Sequence, residues 1–261
     1  MLMQTTFIVV MFIIGACIGS FLCCQARRMR AKETSRQSFG PRSVCFKCNH
    51  KLKWCENIPI ISWLVLKGKC KKCGTRIGYL EIFSEISSAI IMALLATTFD
   101  ISTTNVLGWI AFVVLIILVS LFILLAIYDG SYGELPTKLL IATIVIAVIY
   151  AILKTVQGEY TPIEITLSTI ILGGLYLALY VVSKGKWVGD GDWLLAGAIG
   201  LALGKPFLAL VALFVSNFSA CVIMWPSIHK TKNHKVYFGP FLVLGFIVTF
   251  IISNYGIINL W

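Results

Sequence analysis

Residues 106–137 read VLGWIAFVVLIILVSLFILLAIYDGSYGELPT. From Val106 to Tyr128 no side chain is charged. As a helix this stretch is about 35 Å long, enough to cross the roughly 30 Å hydrocarbon layer of a bilayer. A helix of that length on a soluble protein would carry a charged face, and this one has none. The run gives way to Asp129, Gly130, Glu134 and Pro136. Asp129 therefore marks the edge at which the chain leaves the membrane.

The same pattern recurs on both sides. Apolar runs cover about residues 5–25, 79–98, 139–153, 163–182, 192–203, 207–225 and 240–258. Together they predict an all-α polytopic membrane protein with about eight transmembrane helices. Of the 261 residues, 59% are apolar and only 13% charged, against about 25% charged in soluble domains. That balance excludes an ordinary soluble enzyme. The first run is not read as a secretory leader, because no Lys or Arg precedes Arg27 and the positive flank follows the apolar stretch.

Charge orients the helices. Residues 26–78 hold fourteen of the 22 basic residues and only Glu33 and Glu56 on the acidic side. Such a block can bind nucleic acid. Between two apolar helices it reads instead as a cytoplasmic loop, with no nucleic-acid partner. Eight crossings add Lys138, Lys184, Lys186, Lys230, Lys232 and Lys235 to the same side and leave Lys154 and Lys205 near the other. The expectation is a multi-pass protein of the cytoplasmic membrane with both termini outside. Residues 1–25 form its first transmembrane helix, 26–78 a cysteine-rich loop, and 79–261 a membrane core of about seven helices.

The loop carries Cys45-x-x-Cys48 and Cys70-x-x-Cys73. Each spacing lets two thiolates share one ion, and four thiolates suit a structural zinc. A reducing compartment disfavours disulfides, and an iron–sulfur cluster or unliganded thiols are the other readings. Cys17, Cys23, Cys24 and Cys221 lie in helices, where cysteine behaves as a small hydrophobe.

Acidic residues are rare outside the loop, so their positions are informative. Asp129 ends one crossing, and Asp190 and Asp192 begin another on the same side. Two neighbouring carboxylates that share a proton can activate water and assist a carbonyl. The flanking Gly189 and Gly191 permit close backbone approach and a sharp turn into a helix. The same residues also fit a helix cap at Asp192 and a solvated Asp129, or an ion-relaying transporter. His229 and His234 fall in a basic turn and read as solvated.

In sequence order, Gly19-Ser20-Phe21-Leu22, Ser43-Val44-Cys45-Phe46-Lys47-Cys48, Asn57-Ile58-Pro59, Ser62-Trp63-Leu64, the second cysteine pair, Asp129 with Leu135-Pro136, Gly189-Asp190-Gly191-Asp192 and Phe238-Gly239-Pro240-Phe241 resemble the type IV prepilin leader peptidases. These form a family of membrane aspartic proteases. The resemblance implies that Asp129 and Asp192 are the catalytic pair, with Gly189, Gly191, Phe238, Gly239 and Pro240 in supporting motifs. It implies cleavage after the glycine of a basic leader on prepilins or pseudopilins, at the cytoplasmic face, among membrane lipid. It also implies S-adenosylmethionine-dependent methylation of the new N-terminal residue, associated with the loop. Asn57 and Glu85 are the polar candidates there. Asn49 stands where the family commonly has glycine. The competing classes are an ion-coupled transporter and a non-enzymatic membrane scaffold; oligomeric state is not specified by the sequence.

Overall fold

A computed structural model describes residues 2–33, 44–45, 47–101, 104–186, 188–228 and 237–255. Ser43, Phe46, Lys230, Lys232, Lys235 and both histidines of the 226–237 turn, His229 and His234, lie outside the described residues. Among the described residues all regular structure is helical, apart from two isolated bridges. Six helices are long and apolar enough to cross a membrane, and Asp192–Leu203 and Gly239–Asn254 are shorter apolar helices. The chain forms two compact units, Met1–Thr97 and Thr98–Trp261.

The first unit contains α1 (Leu2–Glu33), a 3-10 turn (Trp54–Glu56), α2 (Ile61–Val65) and α3 (Tyr79–Thr97). Helix α1 continues eight residues beyond the expected end at residue 25. Its extension, ARRMRAKE, consists largely of strong helix formers, so the end of apolarity marks a membrane edge rather than a helix end. α1 and α3 run antiparallel. Gln4 Nε2 donates to the Ala96 carbonyl at 2.9 Å, and Arg27 pairs with Glu81 near the other end. Between these ties the backbones touch. A Cβ on Gly15 would lie 2.6 Å from the Ser88 carbonyl oxygen, and one on Gly19 would strike Ser84 and Glu85. This is the close crossing that small residues four apart permit in apolar surroundings. The sequence grouped residues 79–97 with the membrane core; in the structure they pack along α1.

The second unit contains α4 (Val106–Tyr132), α5 (Thr137–Val156), α6 (Pro162–Thr169), a π-helical turn (Ile170–Gly174), α7 (Leu175–Ser183), α8 (Asp192–Leu203), α9 (Pro206–Ile228) and α10 (Gly239–Asn254). The short helix α8 is its centre and touches α5, α6, the π turn, α7, α9 and α10. Leu195, Ala196, Ile199, Ala202 and Leu203 are fully buried there. A helix packed against six neighbouring elements need not match the bilayer thickness, which accounts for its twelve residues. Glycine brings its neighbour close. A Cβ on Gly173 would lie 2.9 Å from Gly197 Cα, and one on Gly200 would lie 2.8 Å from the Ser168 carbonyl oxygen. The Ser168 hydroxyl donates to the Gly200 carbonyl at 2.8 Å.

Candidate active site and metal centre

Asp129 sits on the last turn of α4, which runs four residues past the end of the apolar run at Tyr128. Gly133, at φ 69°, ends α4 and donates its N–H to the Asp129 carbonyl at 2.7 Å. The left-handed conformation there is the ordinary glycine stop. The Asp129 side chain is buried, and its Oδ2 accepts the Gly239 N–H at 2.8 Å. Gly239 opens α10, so the carboxylate occupies one of the donors that a helix start leaves without an internal partner, at the positive end of the helix dipole. Pro240 follows without an N–H of its own, as the first turn tolerates.

Asp192 is the first residue of α8 and is also buried. Its Oδ2 accepts the Gly189 N–H at 2.9 Å. Asp192 therefore does not cap α8, whose N-cap position is Gly191; its side chain reaches back to the turn before the helix and uses one oxygen there. Asp129 lies within electrostatic reach of Asp192. Each is held through Oδ2 by a glycine N–H. Among the described residues no hydrogen bond reaches either Oδ1.

The motif glycines act by proximity. Neither Gly189 nor Gly191 has positive φ, so the sharp turn expected of them is not left-handed. A Cβ on Gly191 would lie 2.6 Å from Leu135 Cβ, and one on Gly239 would lie 2.8 Å from Asp129 Oδ2. Leu135, ahead of Pro136, therefore rests on the Gly191 backbone. That contact ties the turn after Asp129 to the start of α8. Asp190 is no part of this arrangement and interacts instead with the Tyr180 phenol.

Sequence reasoning passed over Tyr176 and Asn217. Tyr176 is buried, interacts electrostatically with Asp192, and packs on Phe238 with ring centroids 5.4 Å apart. Its oxygen accepts from Asn217 Nδ2 at 3.1 Å. An amide inside the apolar run of α9 was the available signal.

In the first unit, the sulfurs of Cys45, Cys48, Cys70 and Cys73 all lie within 4.8 Å of one another. Cys45 and Cys73 are 3.7 Å apart, and Cys48 and Cys70 are 4.0 Å apart. Tetrahedral zinc with Zn–S near 2.3 Å requires sulfurs about 3.8 Å apart, so the residues fit the ion. Two equivalent turns build the cluster. Asn49 and Gly74 donate to the carbonyls of Cys45 and Cys70, each at 2.9 Å. The Cys45 and Cys70 N–H groups bond the carbonyls of His50 and Thr75. Asn49 at φ 52° and Gly74 at φ 68° occupy the same left-handed position; asparagine tolerates it where glycine is usual. Hydrogen bonding with Thr75 brings the Cys73 thiol down to about 6. Cys48 has a thiolate-favouring bond at His50, yet burial and the other sulfurs push it up to about 11. Four thiolates at this spacing would need a cation between them.

Glu85 is buried in α3, and its Oε2 accepts the Ile60 N–H at 2.7 Å. Asn57 is exposed on the loop, and no hydrogen bond joins it to Glu85 among the described residues.

Residues 13–99 match the bacterial peptidase A24 N-terminal domain, and residues 116–225 match the type IV leader peptidase family. The chain belongs to the type IV leader peptidase family. Its relatives include a prepilin leader peptidase/N-methyltransferase of Bacillus subtilis (strain 168), 27% identical over 94% of both chains. A protein of the same description from Vibrio cholerae is 26% identical, over 95% of this chain and 98% of that one. Another, from Neisseria gonorrhoeae, is 29% identical over 80% of this chain and 70% of its own. No solved structure matches. The family's two matched regions fall one in each compact unit, the cysteine cluster in the first and both aspartates in the second.

Proposed function

We propose that this chain cleaves the basic leader from prepilin-like proteins after glycine and methylates the new N-terminal residue. The observation that carries the first half is the pair of buried carboxylates, each anchored through one oxygen by a glycine N–H. The relatives' descriptions carry the second half. One aspartate, ionised, takes a proton from water as the water oxygen bonds to the scissile carbonyl carbon. The other, protonated, donates to the carbonyl oxygen. The carbon–nitrogen bond then breaks, and the amine leaves with a proton. Asp129 and Asp192 fill these roles; Asp190 does not.

Incubation of the purified protein in detergent with a prepilin peptide tests the proposal. Mass spectrometry should find the shortened product, and a further methyl group only when S-adenosylmethionine is present. Absence of the shortened product from folded protein overturns it. S-adenosylmethionine, when bound, supplies an electrophilic methyl group to the freed amine. We assign that step to residues 26–85, with Asn57 as the accessible polar side chain and Glu85 as the brace that holds the loop on α3. Four cysteines holding one structural zinc would fix the loop's shape.

The supporting glycine gives a sharp expectation. Alanine at Gly239 pushes Asp129 from its donor, and displacements near 1 Å cost about 100-fold in rate. Gly239→Ala should therefore lower initial cleavage by about that factor, with zinc content unchanged. A rate within twofold of wild type contradicts the anchoring role.

The orientation with both termini outside and the peptidase centre at the cytoplasmic face rests on the partition of Lys and Arg between loops. A basic leader held inside and an apolar segment in the lipid put the scissile bond at that edge. In cells carrying a cysteine at residue 2 and no other reactive thiol, an impermeant thiol reagent should label the protein without permeabilisation. Labelling only after permeabilisation reverses the orientation.

A further inference from the structure

The loop between α1 and α3 holds an apolar stretch, Trp54–Leu66, fenced by lysines at both ends. Lys51 and Lys53 precede it, Lys67 and Lys69 follow it, and all four are exposed. Within the stretch, α2 turns Ile61, Leu64 and Val65 outward, at 57%, 60% and 74% exposure. Positions i, i+3 and i+4 make one helix face. The opposite side is attached to α3. Trp63 packs on Tyr79 with ring centroids 6.0 Å apart and closes over Gly68.

The depth of this attachment identifies what covers the outer face. Helix α3 is long and apolar enough to span, and its nineteen residues match the hydrocarbon thickness at about 1.5 Å each. Tyr79 is its first residue and thus lies at the membrane edge. Glu85, six residues further, is about 9 Å deeper. The Glu85 carboxylate accepts the N–H of Ile60, the residue immediately before α2. The loop therefore descends through Asn57-Ile58-Pro59, reverses at Ile60 and climbs back along α2. The reversal is sharp: Ile60 has φ 62°, a conformation that β-branched side chains rarely adopt. The partly buried hydrogen bond to Glu85 holds it there. An apolar stretch of thirteen residues, too short to span, is the length of a re-entrant or interfacial segment. The lysines at its ends can keep their amines among anionic headgroups while the stretch lies below them.

We propose that residues 54–66 form a shallow re-entrant segment that dips into the leaflet from which α3 enters, with the Ile61, Leu64 and Val65 face seated in lipid. The segment would fasten the cysteine cluster, which lies just beyond both lysine fences, to the bilayer surface. This reading needs no catalytic role for the loop, and it stands or falls separately from the enzyme assignment.

Val65→Trp places a reporter on the exposed face, and Ile61→Trp is a second in case the first alters folding. Each full-length variant is reconstituted in vesicles of phosphatidylglycerol and brominated phosphatidylcholine, and the emission of the wild type is subtracted. The added indole should lose more intensity to the brominated chains than to aqueous acrylamide, with no substrate present and at any ratio of protein to lipid. Three results overturn the proposal. One is quenching by acrylamide with none from brominated lipid. Another is protection from acrylamide only at high protein density, which makes the face a contact between copies. The last is protection only when a prepilin peptide is added, which makes it a substrate groove.

Discussion

Asparagine at position 129 or 192 should lower prepilin cleavage by about 10³–10⁴-fold, equivalent to about 4–5.5 kcal/mol of barrier. The substitution keeps the shape of the side chain and leaves an oxygen to accept the Gly239 or Gly189 N–H. Packing around α8 and the start of α10 is therefore preserved. What disappears is a group able to gain and release a proton at Oδ1. Neither carboxyl can both take the proton from water and give one to the carbonyl at the same moment, so loss of either removes the chemistry. Methylation of a peptide that already lacks its leader should survive in both variants. Loss of both activities together, with folding intact, would contradict the assignment of methyl transfer to the loop.

The second large effect concerns the metal. The wild type should carry about one zinc per chain, and replacement of Cys45, Cys48, Cys70 and Cys73 by serine should remove it. Around the cluster the chain has few buried apolar side chains; Cys70 itself is among them. Two tight turns and two isolated bridges supply most of its regular backbone bonding. Without the ion, amides over residues 44–76 should exchange rapidly with solvent. Methylation of a precleaved peptide should fall to background. The aspartates belong to the other compact unit, which keeps its own packing, and cleavage should fall by less than tenfold. Unchanged zinc content in the four-serine protein would reject the site.

The contrast between these sites shows what a linear reading can capture. The cysteine cluster was legible because its determinants are local: paired thiols with two residues between them, followed by Asn49 or Gly74 at the left-handed position. The membrane crossings were legible because the absence of charge over residues 106–128 is itself the physical requirement. Asp129 and Asp192 could be placed on one side by counting crossings. Their anchors could not, since the Gly239 N–H is 110 positions from Asp129. Gly191 illustrates the limit more sharply. A glycine before a helix suggests backbone freedom, but its contribution is the room it leaves for Leu135. Hydrophobicity also misplaced the end of α1, where Arg and Lys continue the helix after leaving lipid. The π turn at Ile170–Gly174 had no sequence signal beyond its paired glycines, because it reflects the fit against α8 rather than a local preference. Tyr176 escaped notice because an aromatic in an apolar run ordinarily means core. Only its bond to Asn217 and its approach to Asp192 distinguish it.

The paired-carboxylate assignment meets its most direct test in one assay. Initial cleavage rates of a prepilin peptide are compared for Asp129→Asn, Asp190→Asn and Asp192→Asn at equal concentrations of folded protein. Asp190 touches Tyr180 and lies outside the anchored pair, so its variant should stay within a few-fold of wild type. The other two should fall to about one thousandth or less. Near-wild-type cleavage by either the Asp129→Asn or the Asp192→Asn protein would contradict the mechanism.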